Sequence, residues 1–174
     1  MHGAGVVEVD GPGHRAGAAA DGAVTAALGA ALVVRTADCA PVALLAGEVV
    51  GVAHAGWRGL LAGVVEATVT RMRDLGAAEV TGIVGPCISA RRYEFRGREL
   101  DELVDRYGPA VRAATVEGTP ALDLRAGVHA ALAAVGAKPD GRPVPCTASG
   151  PERFFSHRAR ADTGRQAAFV WLGS

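Results

Sequence analysis

The chain has almost no lysine and no excess of either charge: 18 Lys and Arg stand against 18 Asp and Glu in 174 residues. A net charge of zero leaves no basic stripe for nucleic acid and no polybasic run for a membrane surface. Cysteine is scarce and odd in number, and Cys39, Cys87 and Cys146 form no CxxC pair. A disulfide framework is therefore not expected, and a reducing compartment is. Long apolar runs are missing too. The longest stretch without charge, residues 22–34, is rich in Ala and Gly, and it falls short of the roughly 20 residues that span a bilayer. Met1-His2-Gly3 has no basic region followed by an apolar core, so no secretory signal is read and the cytoplasm is the default. The length suits one domain, 1–174, with a full core, and no repeat, linker or disordered tract interrupts it.

What is present is a thiol and an imidazole at the ends of two short apolar runs. Thr36-Ala-Asp-Cys-Ala-Pro41 leads into Val42-Ala-Leu-Leu45, and Val49-Val-Gly-Val-Ala53 leads into His54-Ala-Gly-Trp-Arg-Gly59. With Ala46-Gly47 as a two-residue turn, Leu45 faces Glu48, Pro41 faces Val52 and Cys39 faces His54. Residues directly opposed in an antiparallel pair have Cβ atoms roughly 4.5–5.5 Å apart on one face. A sulfur at about 2.3 Å and an imidazole nitrogen at about 2.0–2.1 Å can then share one zinc ion. A slip of one residue would turn Cys39 to the other face, where it would be a small hydrophobe beside an unrelated surface His.

Val6-Val-Glu-Val9 alternates as a strand, and His14 to Gly22 reads as a loop. Ala31 to Arg35 is a strand leading to Cys39. A helix is predicted from about Leu60 to Leu75, with Gly76 as its stop. Glu79 to Val84 returns as a strand. Gly97 to Tyr107 is a second helix, and Asp123 caps a third from Leu124 to Val135. Pro143 to Thr147 and Ala167 to Leu172 complete the strands. Strands and helices intermix without a strict βαβ rhythm, which predicts a mixed sheet with helices on its faces.

His54 lies where a strand gives way to a glycine turn and a helix start, a place suited to anions. Arg58 in that turn offers a planar fork for phosphate or carboxylate, whereas Trp57 reads as core packing. A catalytic zinc needs a third protein ligand, and His2, His14, His129 and His157 are the candidates. His129 lies inside a helix, and His157 precedes arginines as a pocket-lining residue would. Asp38, beside Cys39, is a candidate acid–base group.

His2-Gly3, Asp21-Gly-Ala-Val-Thr25, Thr36-Ala-Asp-Cys-Ala-Pro41, His54-Ala-Gly-Trp-Arg-Gly59, Gly85-Pro-Cys-Ile88 with Tyr93-Glu-Phe95, and Phe155-Ser-His-Arg158 with Thr163-Gly-Arg165 occur in this order. Together they resemble the laccase-domain (YfiH-like) polyphenol oxidase family, also described as purine nucleoside phosphorylases. The resemblance implies an α/β (α+β) fold, a layered αββα sandwich with mixed sheets, lacking the segment that precedes the His-Gly motif in other members. It implies a zinc held by His2, Cys39 and His54. It further implies phosphorolysis of adenosine, inosine, guanosine and methylthioadenosine, with deamination of adenosine. In that reading Asp38 moves protons, and Arg58, Arg158 and Arg165 hold phosphate. The partners are then purine nucleosides and phosphate. Copper-dependent oxidation of phenols is the older alternative, although one Cys and a few His do not supply a multicopper centre. A metal-free Cys39–His54 hydrolase and a truncated, non-catalytic binding domain are the remaining alternatives.

Overall fold

The computed structural model describes residues 3–173; the expectation for His2 lies outside them. Ten strands and five α-helices follow one another as β1 (Val6–Glu8), β2 (Gly22–Thr25), β3 (Leu32–Thr36), β4 (Ala40–Ala46), β5 (Val49–Ala55), α1 (Trp57–Ala62), α2 (Val64–Asp74), β6 (Thr81–Val84), α3 (Arg98–Tyr107), β7 (Arg112–Ala114), β8 (Pro120–Leu122), α4 (Leu124–Ala134), β9 (Lys138–Pro139), α5 (His157–Arg160) and β10 (Gln166–Val170). Six strands form a mixed sheet in the order β1-β2-β5-β4-β6-β9, β3 pairs with β10, and β7 pairs with β8. The class is mixed α/β.

The central strands β4 and β5 are almost wholly buried, because both faces of the sheet are covered. Val42 and Leu44 of β4 join Val65, Val69 and Met72 of α2 and Val128 and Leu132 of α4 in one core. Val50 and Val52 of β5 pack on the opposite face with Leu32 of β3 and Val170 of β10. The side-chain period of two places His54 on this second face with Val50 and Val52. Helices therefore cover one side of the sheet, and the β3–β10 ribbon and the candidate site lie on the other. Val33, Phe169 and Trp171 are exposed on that ribbon. On the helix side, close approach depends on missing side chains. A Cβ on Gly51 would meet Met72 Sδ at 2.9 Å, and one on Gly82 would meet Leu132 Cδ1 at 2.6 Å.

Three local expectations are corrected. The β4–β5 turn is Gly47-Glu48, with Ala46 opposite Val49 and Pro41 opposite His54. Gly47 takes φ +56° at the first loop position, a conformation that favours glycine there. Cys39 is thus not opposite His54, but the displacement is two residues, so the parity of the face is kept. The helix from Leu60 to Leu75 is two helices, because Gly63 at φ +84° ends α1 and opens α2. The strand from Pro143 to Thr147 reduces to one bridge between Cys87 and Cys146, followed by a 3-10 turn at Thr147–Ser149. β2, β7, β8, β9 and α5 have no counterpart among the expected elements, while the helix ends agree. Asp123 caps α4 by accepting from the Ala126 N–H at 3.0 Å, and Gly76 follows α2 at φ +96°.

Candidate functional site

Cys39 stands in the bend before β4 and His54 near the end of β5. Both line one cavity of about 1010 Å³, together with Arg58, Arg158 and Arg165. Four of the predicted site residues, Cys39, His54, Arg58 and Arg158, come from three separate parts of the chain, and the fold brings them together. Trp57, Tyr93 and His157 also line the cavity. His129, on α4, is not among its walls, and burial lowers the basicity of its ring.

A carboxylate that the sequence motifs include without a role faces the imidazole. Asp21 precedes β2 and is buried. Its Oδ1 lies 3.4 Å from His54 Nδ1, and its Oδ2 accepts the Gly3 N–H at 2.7 Å. The His54 backbone N–H donates to the Asp21 carbonyl at 2.7 Å. A ligating histidine commonly gives its second nitrogen to a carboxylate, which fixes the ring and raises its basicity.

The Cys39 thiol is pushed up to about 11, first by burial and then by the neighbouring Asp38 carboxylate, against the pull of Arg165. Such a thiol is protonated at neutral pH, so as a nucleophile it would have to give its proton to a neighbouring base. A bound cation would reverse this by drawing off the proton. Among the described residues no group of three or more His, Cys, Asp or Glu side chains is set to hold a metal. One thiol and one carboxylate-supported imidazole suit a single zinc completed by a further ligand. They do not suit a cluster of several copper ions, which needs many more imidazoles.

Asp38 is buried with φ +91°. Its Oδ1 accepts from Thr147 Oγ1 at 2.6 Å and Ser156 Oγ at 2.7 Å, and its Oδ2 accepts the Arg158 N–H at 2.6 Å. The arginines are held differently. The Arg58 guanidinium lies 4.3 Å from the Trp57 ring centroid and that of Arg158 lies 5.0 Å from the Tyr93 centroid. Phe95 joins the two platforms, with centroids 5.5 Å from both Trp57 and Tyr93. Burial pushes the Tyr93 hydroxyl up to about 12, so it stays neutral beneath its cation. Arg165 donates to the carbonyls of Asp162, Thr163 and Gly164. Trp57 is thus both core packing, as its sequence position suggests, and a wall of the cavity. The helix after His54 has only six residues, so the dipole at its start is weaker than the sequence suggests.

Fold and site define a mixed α/β protein whose cavity is lined by a thiol, an imidazole facing a carboxylate, and guanidinium groups lying over aromatic rings. Over residues 1–173 the chain matches the family described as multi-copper polyphenol oxidoreductase laccase, and it belongs to that family. It is 46% identical to a purine nucleoside phosphorylase of Streptomyces coelicolor over 99% of this chain and 72% of that one. It is 41% identical to a purine nucleoside phosphorylase of Mycobacterium bovis over 99% of this chain and 70% of that protein. Among solved structures it resembles YlmD from Geobacillus stearothermophilus with a TM-score of 0.83 at 31% identity, over 100% of this chain and 72% of that one. It also resembles YfiH from Bacillus licheniformis with a TM-score of 0.85 at 27% identity, over 99% of this chain and 72% of that one. Among the described residues, no helix is long and apolar enough to cross a membrane.

Proposed function

We propose that the chain is a zinc-dependent purine nucleoside phosphorylase, acting on adenosine, inosine, guanosine and methylthioadenosine, with deamination of adenosine as a second activity of the same site. One observation carries the reading: Cys39 and His54 share a cavity with Arg58 and Arg158, each arginine stacked on an aromatic ring. The names of the relatives from Streptomyces coelicolor and Mycobacterium bovis support it. In this reading His2, Cys39 and His54 hold the metal. Gly3, the residue after His2, is tied to the carboxylate that also faces His54, which favours that set.

Zinc, when bound, acts as a Lewis acid and brings the proton of a bound water within reach of neutral pH. The protein's own residues do the rest. Asp21 orients the His54 ring. Arg58 and Arg158 bind phosphate through planar, multiply donating forks, and the aromatic platforms lower the entropy lost when they do so. Arg165 adds positive charge at the same wall. For phosphorolysis this arrangement holds the nucleophile in place for attack at the anomeric carbon. By sequence, Asp38 beside Cys39 is the nearest candidate for proton transfer. The cytoplasm belongs to the same reading, since Cys39 must stay reduced to serve as a ligand.

The test is direct. The chain is incubated with each nucleoside, with and without phosphate, and free base, ribose 1-phosphate and ammonia are measured alongside metal content. Phosphate-dependent release of base with about one zinc per chain supports the reading. Release of base that ignores phosphate, or full turnover in metal-free protein, rules it out.

A further inference from the structure

We propose that Asp38 is a positioning residue that aims Arg158 at phosphate, and not a proton carrier. The inference rests on the phosphate-binding role given to Arg158 above. Asp38 gathers three distant segments. Its backbone carbonyl accepts the Ile88 N–H at 3.0 Å, and its carboxylate takes the Thr147 and Ser156 hydroxyls and the Arg158 N–H. Non-glycine residues at φ near +91° are uncommon and are kept where the surroundings enforce them. Here the conformation turns the carboxylate away from the path of β4 and toward the segment that carries Arg158.

That segment cannot hold its own shape. The helix α5 has four residues, far below the length at which a helix is stable alone. Its cap, Ser156 Oγ, accepts the Ala159 N–H at 3.2 Å and donates to Asp38. The Ser156 N–H is held by Asp162 Oδ2 at 2.8 Å. Arg158 is therefore fixed at two points, its backbone by Asp38 and its guanidinium by the Tyr93 ring. A proton carrier needs an oxygen open to the reacting atoms. Both oxygens of this carboxylate are instead engaged by protein donors at 2.6–2.7 Å, two hydroxyls on Oδ1 and the Arg158 N–H on Oδ2, a pattern that holds a segment in place.

Asp38→Asn separates the two roles. Asparagine tolerates positive φ, but an amide cannot accept on both of its terminal atoms. The orientation that keeps both hydroxyl bonds sets its NH2 against the Arg158 N–H. The experiment titrates inorganic phosphate into the metal-loaded wild-type, Asp38→Asn, Arg158→Ala and double variants, and measures nucleoside phosphorolysis with phosphate varied across pH. The expected result is a loss of phosphate affinity and a rise in phosphate KM of about 10-fold in Asp38→Asn, the scale of an orphaned buried donor. Nucleoside KM and the acid limb of the kcat profile stay in place. In the Arg158→Ala background the same substitution adds little, because coupled residues are not additive.

Unchanged phosphate affinity in Asp38→Asn overturns the proposal. So does a collapse of kcat with loss of the acid limb and an unmoved phosphate KM. If Asp38→Asn does not fold, Ser156→Ala loosens the same clamp and keeps the charge; the expected loss of phosphate affinity is about 3-fold, and none overturns the proposal. Phosphate binding that depends on Asp38 in a chain that turns over no nucleoside would refute the phosphorylase reading alone.

Discussion

Asp21 and His54 are joined twice across neighbouring strands, by Oδ1 and Nδ1 at 3.4 Å and by a backbone N–H to carbonyl bond of 2.7 Å. The backbone bond sets the distance, and the side chains use it. Asp21→Asn keeps the size and the backbone bond but removes the charge behind the ring. Zinc affinity, measured by competition with a chromophoric chelator, is expected to fall about 10–100-fold, the usual effect of losing such a partner. An unchanged affinity would show that the imidazole is oriented by other means.

Arg58 presents its fork from the face of Trp57. Arg58→Lys retains the charge and loses both the planar stacking and the paired donors. Phosphate KM is expected to rise about 10-fold or more in Arg58→Lys and somewhat further in Arg58→Ala, as for loss of a charged hydrogen bond. Steady-state kinetics with phosphate varied at saturating nucleoside checks this, and equal KM values for lysine and wild type would count against a bidentate contact.

Burial, with lesser help from Asp123 and Cys146, pushes the Cys87 thiol from 9.0 up to about 12. Above pH 9 the unfolded chain loses this proton while the folded chain keeps it. The folded state then binds more protons, and stability falls as pH rises. Its contribution is complete below pH 9 and is lost progressively toward pH 12. Urea midpoints should therefore fall more steeply between pH 8 and 10.5 in the parent than in Cys87→Ala. Parallel curves would place the thiol in a wetter setting than this.

Gly82 lets α4 lie against β6, where a methyl group would stand 2.6–2.8 Å from both Leu132 methyls. Gly82→Ala should cost about 1–3 kcal/mol of unfolding free energy, as overpacking does in a filled core. Leu132→Ala in the same chain should recover part of that loss, since the two changes share one space. Denaturant unfolding of the single and double variants gives the answer.

Much of the architecture was legible because it is written in short-range chemistry. The alternation of Val6 to Val9, the apolar runs either side of Gly47, and Asp123 ahead of Leu124 need only neighbours to be read. The apolar pattern puts the hairpin register two residues off, because Gly47 at φ +56° starts the turn one position later than that pattern suggests. The apolar spacing runs unbroken through Gly63, while its φ of +84° divides the helix. Within the site, Cys39, His54, Arg58 and Arg158 carry visible motifs. Asp21 and Tyr93 stand in visible motifs too, but their roles are not legible there, since each gains its role from a distant partner: His54 across β2–β5, and Arg158 on α5, 65 positions further on.

The ladder Arg58–Trp57–Phe95–Tyr93–Arg158 has an optical consequence. Of the two tryptophans in the chain, Trp171 is 59% exposed at the end of the β3–β10 ribbon, whereas Trp57 lies beneath a guanidinium at the cavity wall. An anion that draws Arg58 off the indole changes the electric field on that ring. The indole's fluorescence then shifts with occupancy, so ligand binding can be followed in the unlabelled protein by exciting a residue the chain already carries.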